Sequence, residues 1–398
     1  MQILYGVVGE GMGHATRSRV VLEHLLSRGH EVRVEVSGKA LSFLVGRFAG
    51  RPGIAFEEIH GLTLDYEGNA VDFARSVLSN LERAPAGLAR NLEVYRKVAE
   101  EGFGPELVVS DFESWAYLYG KRRRIPVVSI DNMQIINRCR HDRSVTGGRS
   151  AAFRIAKAAV KAKLPGAYHY LVTSFFFPPV RKRRTTLVPP ILRPEILAAR
   201  REPGEHVVVY QRVLPAEELV PVLERLGRPF RVYGAGKEGS RGNVALRPFS
   251  ETGFVEDLRT ARAVIAGGGY SLMGEAVHLG VPMLAVPIEG QFEQELNARW
   301  LAALGYGRWA KTLDARTMTD FLDGAPDHER ALADYPRRDG SVLAACVEEL
   351  VRLAGEGAPP PDRLATAAMG TFERAAIPAE REEEDDSMDR SDGDEDAG

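Results

Sequence analysis

The chain has 398 residues, which is long enough for two domains that each bury a core. Its 44% hydrophobic and 27% charged residues are typical of a soluble globular protein. The net charge of −3 is uneven, because Glu380–Asp396 carries eleven acidic residues and two arginines and the remainder is therefore +6. A mildly basic body suits an anionic ligand or membrane surface, and its charge is too dispersed to predict nucleic-acid binding.

Cys139 and Cys346 are the only cysteines, which excludes a disulfide framework and a cysteine-built zinc site. The first residues, Met1–Gly6, lack a basic region and predict a strand and not a signal peptide. The sequence contains no run of eighteen apolar residues, so it predicts no transmembrane helix. We expect a cytoplasmic protein.

Short apolar runs alternate with longer helical patterns along most of the chain. Continuously apolar strands separated by helices predict parallel sheets that helices cover on both faces. Two series of such runs predict two doubly wound, Rossmann-like α/β domains. The series are Ile3–Val8, Val32–Val36, Leu107–Ser110, Val127–Ile130 and Leu171–Phe177, then Val207–Tyr210, Phe230–Tyr233, Val264–Ala266 and Met283–Val286.

The proline-rich stretch Leu187–Pro194 marks the predicted domain boundary, because it can continue neither a helix nor a central strand. We expect an N-terminal, acceptor-binding domain at 1–190 and a C-terminal, donor-binding domain at 191–354. The last helix of the second domain is expected at Ser341–Leu353. Residues 355–398 are rich in proline and alanine and then strongly acidic, which predicts a disordered tail.

The first predicted strand ends in a glycine-rich loop, Gly9-Glu10-Gly11-Met12-Gly13-His14. Its spacing departs from the G-x-G-x-x-G fingerprint of dinucleotide folds, and no acid follows the second strand. His14 enters the next helix, and a neutral imidazole can take a proton from an acceptor hydroxyl group. Asp111 ends a strand at the same edge of the sheet and is a candidate to orient His14. Helix capping or phosphate binding by His14 stays open.

Other polar residues are expected near the same edge. Glu10, Arg17 and Asp131 are candidates for acceptor binding, and Glu10 is an alternative base. Two basic clusters suggest a second possibility, a membrane-facing surface for a lipid-linked acceptor. A buried strand beside a solvated loop is the alternative. The clusters are Arg138, Arg140, His141, Arg143, Arg149, Arg154, Lys157, Lys161 and Lys163, and Arg181–Arg184 beside Phe175–Phe177.

In the second half, the strand Val264–Ala266 runs into Gly267-Gly268-Gly269, and a helix is predicted from near Ser271. Glycines let the backbone approach a ligand, and a helix N-terminus offers unpaired N–H groups, so together they predict a diphosphate cradle. Further along, Glu293 and Gln294 can bind several hydroxyl groups at once, as a sugar requires. Alternatively, the glycines form a turn that serves only packing, and Glu293 and Gln294 lie on a solvent-exposed helix face.

These segments resemble the donor site of GT-B nucleotide-sugar glycosyltransferases, among them the bacterial transferase of the peptidoglycan lipid intermediate and the plant UDP-glycosyltransferases. The matching strings are Gly267–Ala276, Gly280-Val281-Pro282, Pro287 and Glu293-Gln294 with Asn297-Ala298. In the plant enzymes an Asp-Gln pair replaces Glu293-Gln294, which leaves the sugar open. Asp111-Phe112-Glu113-Ser114-Trp115-Ala116 is similar to the segment that holds the plant catalytic aspartate.

The resemblance implies roles for individual residues. Glu275 would bind the ribose, and Glu293 and Gln294 the transferred sugar. Arg193 would face a phosphate, unless it is a linker residue in solvent. The remaining residues, which would bind the diphosphate, are Gly268, Gly269 and Ser271.

The expected activity is an inverting transfer of a hexose-type sugar from a nucleoside diphosphate sugar, a UDP-sugar, to an acceptor hydroxyl group. No Asp-x-Asp motif is placed to hold a metal, and no cofactor is expected beyond the nucleotide-sugar substrate. The acceptor, lipid-linked or not, has no sequence signature. A nucleotide-sugar 2-epimerase of the same fold and a non-catalytic sugar-nucleotide-binding protein are the alternatives.

Overall fold

The computed structural model describes residues 1–9, 11–61, 63, 65–67, 70–148, 150–211 and 214–365. Its strands build two seven-stranded sheets and one small hairpin. The strands are β1 Gln2–Val7, β2 Glu31–Val36, β3 Ile54–Glu58, β4 Tyr66–Glu67, β5 Ala70–Val71, β6 Leu107–Asp111, β7 Val127–Asp131, β8 His169–Thr173, β9 Thr185–Val188, β10 Val207–Tyr210, β11 Phe230–Tyr233, β12 Gly239–Arg241, β13 Val244–Leu246, β14 Ala263–Ala266, β15 Met283–Ala285 and β16 Gly307–Trp309.

Helices follow most of these strands. They are α1 Met12–Ser27, α2 Gly38–Arg47, α3 Phe73–Glu100, α4 Ser114–Arg123, α5 Ile135–Arg138, α6 Arg143–Thr146, α7 Ala151–Lys163, α8 Pro194–Leu197, α9 Ala216–Arg225, α10 Glu251–Arg259, α11 Tyr270–Leu279, α12 Phe292–Ala303, α13 Ala315–Asp323, α14 Ala325–Ala333 and α15 Ser341–Gly355. Among the described residues, no helix is both long and apolar enough to cross a bilayer.

The two large sheets have the doubly wound arrangement that the alternation predicts. Their strand orders are β3-β2-β1-β6-β7-β8-β9 and β12-β13-β11-β10-β14-β15-β16. All pairings are parallel except that of β12 with β13. Every residue of β6, β7 and β8 is buried, because helices cover both faces of the sheet. The carboxyl ends of the central strands β1 and β14 both point toward the junction between the sheets.

The C-terminal end of the folded chain returns to the first sheet. Val342, Cys346 and Leu350 of α15 lie in the same apolar core as β1 and β2. After α15 the chain runs along edge strand β9, where the backbone N–H of Thr185 donates to the carbonyl of Asp362 at 3.1 Å. Residues 355–365, which the sequence placed in the tail, are therefore part of the folded chain. Residues 366–398 lie outside the described residues.

One of the predicted strands is shorter than expected. Leu171–Phe177 was predicted as strand, whereas β8 ends at Thr173. Phe175 and Phe176 still lie in the core, each 1% exposed, where Phe176 stacks on Trp300 at 4.9 Å between ring centroids. Arg138 is also buried, with its guanidinium 3.7 Å from the ring centroid of Tyr170. These aromatic residues form a buried core and not a membrane-facing surface, and Arg149 lies outside the described residues.

A buried carboxyl group in the first sheet predicts a pH-dependent stability. Glu35 of β2 is 2% exposed, and its Oε2 atom has no hydrogen-bond partner among the described residues. Burial raises the pKa of Glu35 well above its ordinary value, and the nearby Glu113 and Glu57 add to this shift. The folded state therefore holds the proton more tightly than the unfolded chain. Stability should fall as the pH rises from the ordinary carboxyl pKa through the raised one.

We expect Glu35→Gln to increase the free energy of unfolding at pH 8 by about 1–3 kcal/mol, because no charge is then buried. The gain should shrink as the pH falls toward the ordinary carboxyl pKa, because the folded protein holds the proton of Glu35 more tightly than the unfolded chain does. Urea unfolding at pH 8 and at a pH near the ordinary carboxyl pKa measures this difference. Glu31→Gln, at an exposed position of the same strand, is the control. A loss of stability at pH 8 in Glu35→Gln would contradict the prediction.

Candidate active site at the junction of the two sheets

Two helix N-termini meet at the junction between the sheets. Helix α1 begins after β1 with Gly11 as its N-cap, and α11 begins after β14 with Gly269 as its N-cap. Neither N-cap residue makes a side-chain capping hydrogen bond. A Cβ atom at Gly13 would lie 2.6 Å from Oγ of Ser271, so the absence of a side chain allows this close approach. The first turns of the two helices are therefore in contact, and two positive helix ends so close together favour an anion near them.

The glycine turn and the carboxylate–amide pair predicted from the sequence lie side by side. The backbone N–H of Gly268 donates to Oε1 of Gln294 at 3.1 Å. Oε1 of Gln294 also accepts from the N–H of Ile288 at 3.1 Å. A Cβ atom at Gly268 would lie 2.4 Å from the carbonyl oxygen of Gln294, whereas one at Gly269 would meet nothing within 4 Å. Gln294 therefore fixes the turn, and Gly269 borders open space.

Glu293 joins the two halves of the molecule. Its Oε1 accepts from Nδ2 of Asn132 at 2.7 Å and from Nδ2 of Asn297 at 2.5 Å. Asn132 follows β7 of the first sheet, and Asn297 lies one turn after Glu293 on α12. Burial raises the pKa of Glu293 to about 7, against the opposing effects of Asn297, Arg17 and Asn132. The carboxyl group is therefore held in place and is easily protonated near neutral pH.

His14 and Asp111 are in direct contact. Nδ1 of His14 lies 2.8 Å from Oδ1 of Asp111, and the His14 side chain is 18% exposed while that of Asp111 is 1% exposed. Burial lowers the pKa of His14, the charge of Arg17 lowers it further, and Asp111 opposes both. A lowered pKa keeps the imidazole neutral near pH 7. A neutral, oriented imidazole at the edge of a cleft can accept a proton.

Arg17 organises the same cluster from one helical turn further along α1. Its Nε donates to Oδ2 of Asp111 at 2.9 Å, and its Nη1 donates to Oδ1 of Asn132 at 2.5 Å. Ser18 donates to Oδ2 of Asp111 at 2.9 Å. Burial alone would raise the pKa of Asp111, but Arg17 and His14 outweigh burial and lower it. Asp111 is therefore ionised, and Arg17 is engaged within the protein and not free for an acceptor.

Two contacts compete for Nδ1 of His14. Nδ1–H can donate to Asp111, but Nη2 of Arg17 also lies 2.6 Å from this nitrogen and can only donate. Nη2 of Arg17 already donates to Oδ1 of Asp111, so it does not need His14 as an acceptor. A charge-assisted bond to the carboxylate is the stronger interaction. We therefore assign the proton to Nδ1, which leaves the lone pair of His14 on Nε2.

Arg193 and Glu275 form a buried, two-point ion pair. Nε of Arg193 donates to Oε1 of Glu275 at 2.7 Å, and Nη2 donates to Oε2 at 2.9 Å. The two side chains are 9% and 10% exposed. Burial raises the pKa of Glu275, although Arg193 opposes this shift. The sequence assigned Arg193 to a phosphate and Glu275 to the ribose. In the structure each is engaged by the other, and ribose binding would use the remaining lone pairs of Glu275.

The other predicted acceptor residues lie in different settings. Asp131 is 1% exposed, accepts from the N–H of Gln134 at 2.8 Å and from Ser129 at 2.5 Å, and so holds the loop after β7. Burial raises its pKa to about 6, against those hydrogen bonds. Glu10 lies outside the described residues. Within the described part of the chain, no group of three or more His, Cys, Asp or Glu side chains is placed to hold a metal.

Asn297 belongs to the string that resembles the donor site, and Asn132 follows the acceptor candidate Asp131. Neither was predicted to contact Glu293, beside which the structure places both. The sequence contains only a weak signal for these two contacts. Asn297 lies four residues after Glu293, a spacing that brings two side chains to one face of a helix. Asn132 directly follows the acid at the end of β7, but nothing in its sequence context indicates a partner 161 residues away.

Two doubly wound, Rossmann-like sheets that meet at a junction are the arrangement of the GT-B class. Solved structures share this fold. A variant of Os79 from O. sativa in complex with UDP has a TM-score of 0.62 and 15% identity, with 89% of this chain and 100% of that chain covered. A UDP-glucosyltransferase from Polygonum tinctorium capable of glucosylating indoxyl has a TM-score of 0.61 and 14% identity, with 89% and 98% covered.

Sequence comparison identifies the family. Residues 1–326 match the family described as Glycosyl transferase family 1. An uncharacterized glycosyltransferase of Methanosarcina acetivorans is 26% identical over 336 residues, which cover 77% of this chain and 85% of that protein. The chain belongs to glycosyl transferase family 1, and the predicted GT-B fold is confirmed.

Proposed function

We propose that the protein transfers a hexose-type sugar from a UDP-sugar to an acceptor hydroxyl group, with inversion and without a metal ion. The approach of the uncapped N-termini of α1 and α11 at Gly13 and Ser271 carries this proposal. The positive ends of two helix dipoles lying close together can stabilise a departing diphosphate. The UDP in the Os79 complex and the name of the Polygonum tinctorium enzyme support a UDP donor.

In the proposed reaction, Nε2 of His14 takes the proton of the acceptor hydroxyl group as its oxygen attacks the anomeric carbon. The bond between that carbon and the diphosphate oxygen breaks, and UDP leaves with the electron pair. Asp111 holds the imidazole by Nδ1 and stabilises the imidazolium that forms, since it is ionised and buried. One in-line displacement of this kind inverts the anomeric configuration.

The donor half of the proposal has a specific test at Gly269. Its φ of −66° suits alanine, and a Cβ atom there meets no protein atom within 4 Å. We expect Gly269→Ala to keep the melting temperature within about 2 °C, because alanine is worse than glycine at an N-cap by only about 1 kcal/mol, and the melting temperature of a chain of this size changes little with such a loss. If the diphosphate occupies this space, the new methyl group should weaken UDP binding at least about tenfold, as measured by calorimetry.

Gly46→Ala is the matched control, because Gly46 lies in α2 and a Cβ atom there also meets nothing within 4 Å. UDP affinity should not change in that variant. Unchanged UDP affinity in Gly269→Ala would place the diphosphate elsewhere. Product analysis with a panel of UDP-sugars and hydroxyl acceptors tests transfer itself. Free UDP formed together with a glycoside supports the proposal, whereas an epimerised donor contradicts it.

A further inference from the structure

Lys163 is a largely enclosed cation at the rim of the proposed acceptor site. It is the last residue of α7, and its Nζ lies 4.5 Å from the ring centroid of Phe112, the residue that follows Asp111. Burial lowers the pKa of Lys163, against the opposing charges of Glu113 and Asp131, and Lys163 is near enough to His14 to lower the pKa of that imidazole. The ammonium group therefore lies among the loops that follow β1, β6 and β7.

The charge of Lys163 is not matched by an ion pair. In the described ranges, no carboxylate pairs with its Nζ, although two carboxyl groups are nearby. Glu113 accepts from the backbone N–H groups of Trp115 and Ala116, each at 2.7 Å, and so caps α4. Asp131 is held by Ser129 and Gln134. Both acids are used within their own loops, and an enclosed ammonium without a partner is costly unless a ligand completes it.

The position of Phe112 is held against its backbone preference. Its φ is 55°, a region that bulky residues rarely adopt. The hydroxyl group of Ser110 fixes this turn, because it donates to the carbonyl of Glu113 at 2.7 Å and accepts from its N–H at 3.0 Å. Strain that neighbouring contacts maintain is characteristic of binding sites. Here it places an aromatic face under the ammonium group.

We propose that Lys163 and Phe112 bind an anionic group on the acceptor, a phosphate or a carboxylate, next to the hydroxyl group that His14 deprotonates. This inference rests on the proposed function and names its acceptor class. Lys163 ends α7 and Phe112 follows β6, so neither residue belongs to α1 or α11, whose N-termini border the proposed diphosphate site. The proposed anion site is therefore built from other elements than the donor diphosphate site.

The test uses protein saturated with UDP, so that the donor phosphate site is filled. Phenyl phosphate, benzoate and phenol are titrated as probes, and NMR or calorimetry measures their affinities. We expect at least one of the two anions to bind at least about tenfold more tightly than phenol, since a charge-assisted bond contributes about 1.5–3 kcal/mol. Tighter binding of phenyl phosphate indicates an acceptor with a phosphate group, and tighter binding of benzoate indicates an acceptor with a carboxylate group.

Lys163→Met keeps the length of the side chain and removes its charge. It should abolish the preference for the anion while UDP affinity and melting temperature are retained, and Lys163→Gln should behave alike. Arg154→Met is the control, because Arg154 is an exposed cation on the same helix. The proposal is overturned if the wild type binds neither anion more tightly than phenol, or if saturation with UDP abolishes the preference for the anion. It is also overturned if both Lys163 variants keep that preference. Failure of UDP to bind the wild type would instead refute the proposed function.

Discussion

Replacing His14 with alanine is expected to lower the transfer rate by about 10²- to 10⁴-fold, which is the usual contribution of a positioned general base. The side chain is 18% exposed, and among the described residues only its Nδ1 makes a hydrogen bond. UDP affinity should therefore change by less than about threefold, because the base contacts the acceptor and not the leaving group. Steady-state kinetics with a glycoside-forming assay, together with UDP calorimetry, separates these two effects.

The pH profile gives a second measure of the same role. Because burial and Arg17 lower the pKa of His14, the wild-type rate should fall only below pH 6.5, the ordinary value for histidine. His14→Ala should lose this limb of the profile. His24→Ala, on the same helix, is the control for a general effect of removing an imidazole from α1. A His14→Ala variant with wild-type turnover would exclude His14 as the base.

Asp111→Asn is a less informative variant than His14→Ala. Asp111 accepts from Arg17 and Ser18 as well as from His14, and it is the only carboxylate that Arg17 contacts among the described residues. Removal of its charge would leave a buried guanidinium without a counterion. A loss of activity in that variant would therefore combine a lost catalytic contact with local unfolding.

The second large effect is expected at Arg193. Replacing it with methionine would leave the carboxylate of Glu275 buried without a partner, which costs about 3–5 kcal/mol of unfolding free energy. Replacing both residues, as in Arg193→Met with Glu275→Leu, should recover most of that loss, because neither charge is then buried. Urea denaturation of the wild type, the single variant and the double variant measures the recovery.

Arg228 and Asp323 provide the control, because they form an ion pair whose side chains are 39% and 64% exposed. Arg228→Met should change the unfolding free energy by about 0–1 kcal/mol. UDP calorimetry on the stable double variant then tests the nucleotide roles that the family resemblance assigns to Arg193 and Glu275. Wild-type stability in the single variant Arg193→Met would contradict the importance of the buried pair.

The elements that the sequence predicted best are those with a strong local signal. Continuously apolar runs such as Val207–Tyr210 and Val264–Ala266 fall on strands β10 and β14, because a strand covered on both faces is apolar throughout. Short edge strands were missed. β3, Ile54–Glu58, contains two glutamates and is only partly buried, so its pattern resembles that of a loop.

The site was predicted only as far as residue types and strand ends allow. The glycine turn and the helix start at 270 have local signatures, because glycine and a helix N-terminus together suit a phosphate. The pairing of Arg193 with Glu275 has no local sequence signature, since the two residues are 82 positions apart. Arg193 lies in a connection, and Glu275 lies inside a helix. The same holds for α15, whose amphipathic pattern predicts a helix but not which sheet it covers.

The sequence by itself determined the alternation of apolar strands and helices, the glycine turn that starts α11, and the chemistry available from His14, Asp111 and Glu293. Local periodicity and residue type carry that information. The tertiary structure decided which groups are engaged within the protein, because hydrogen bonds between distant segments involve Arg17, Gln294 and both members of the Arg193–Glu275 pair. It also decided which charged side chains lack an ion-pair partner, since ion pairs depend on how separate strands and helices meet in space.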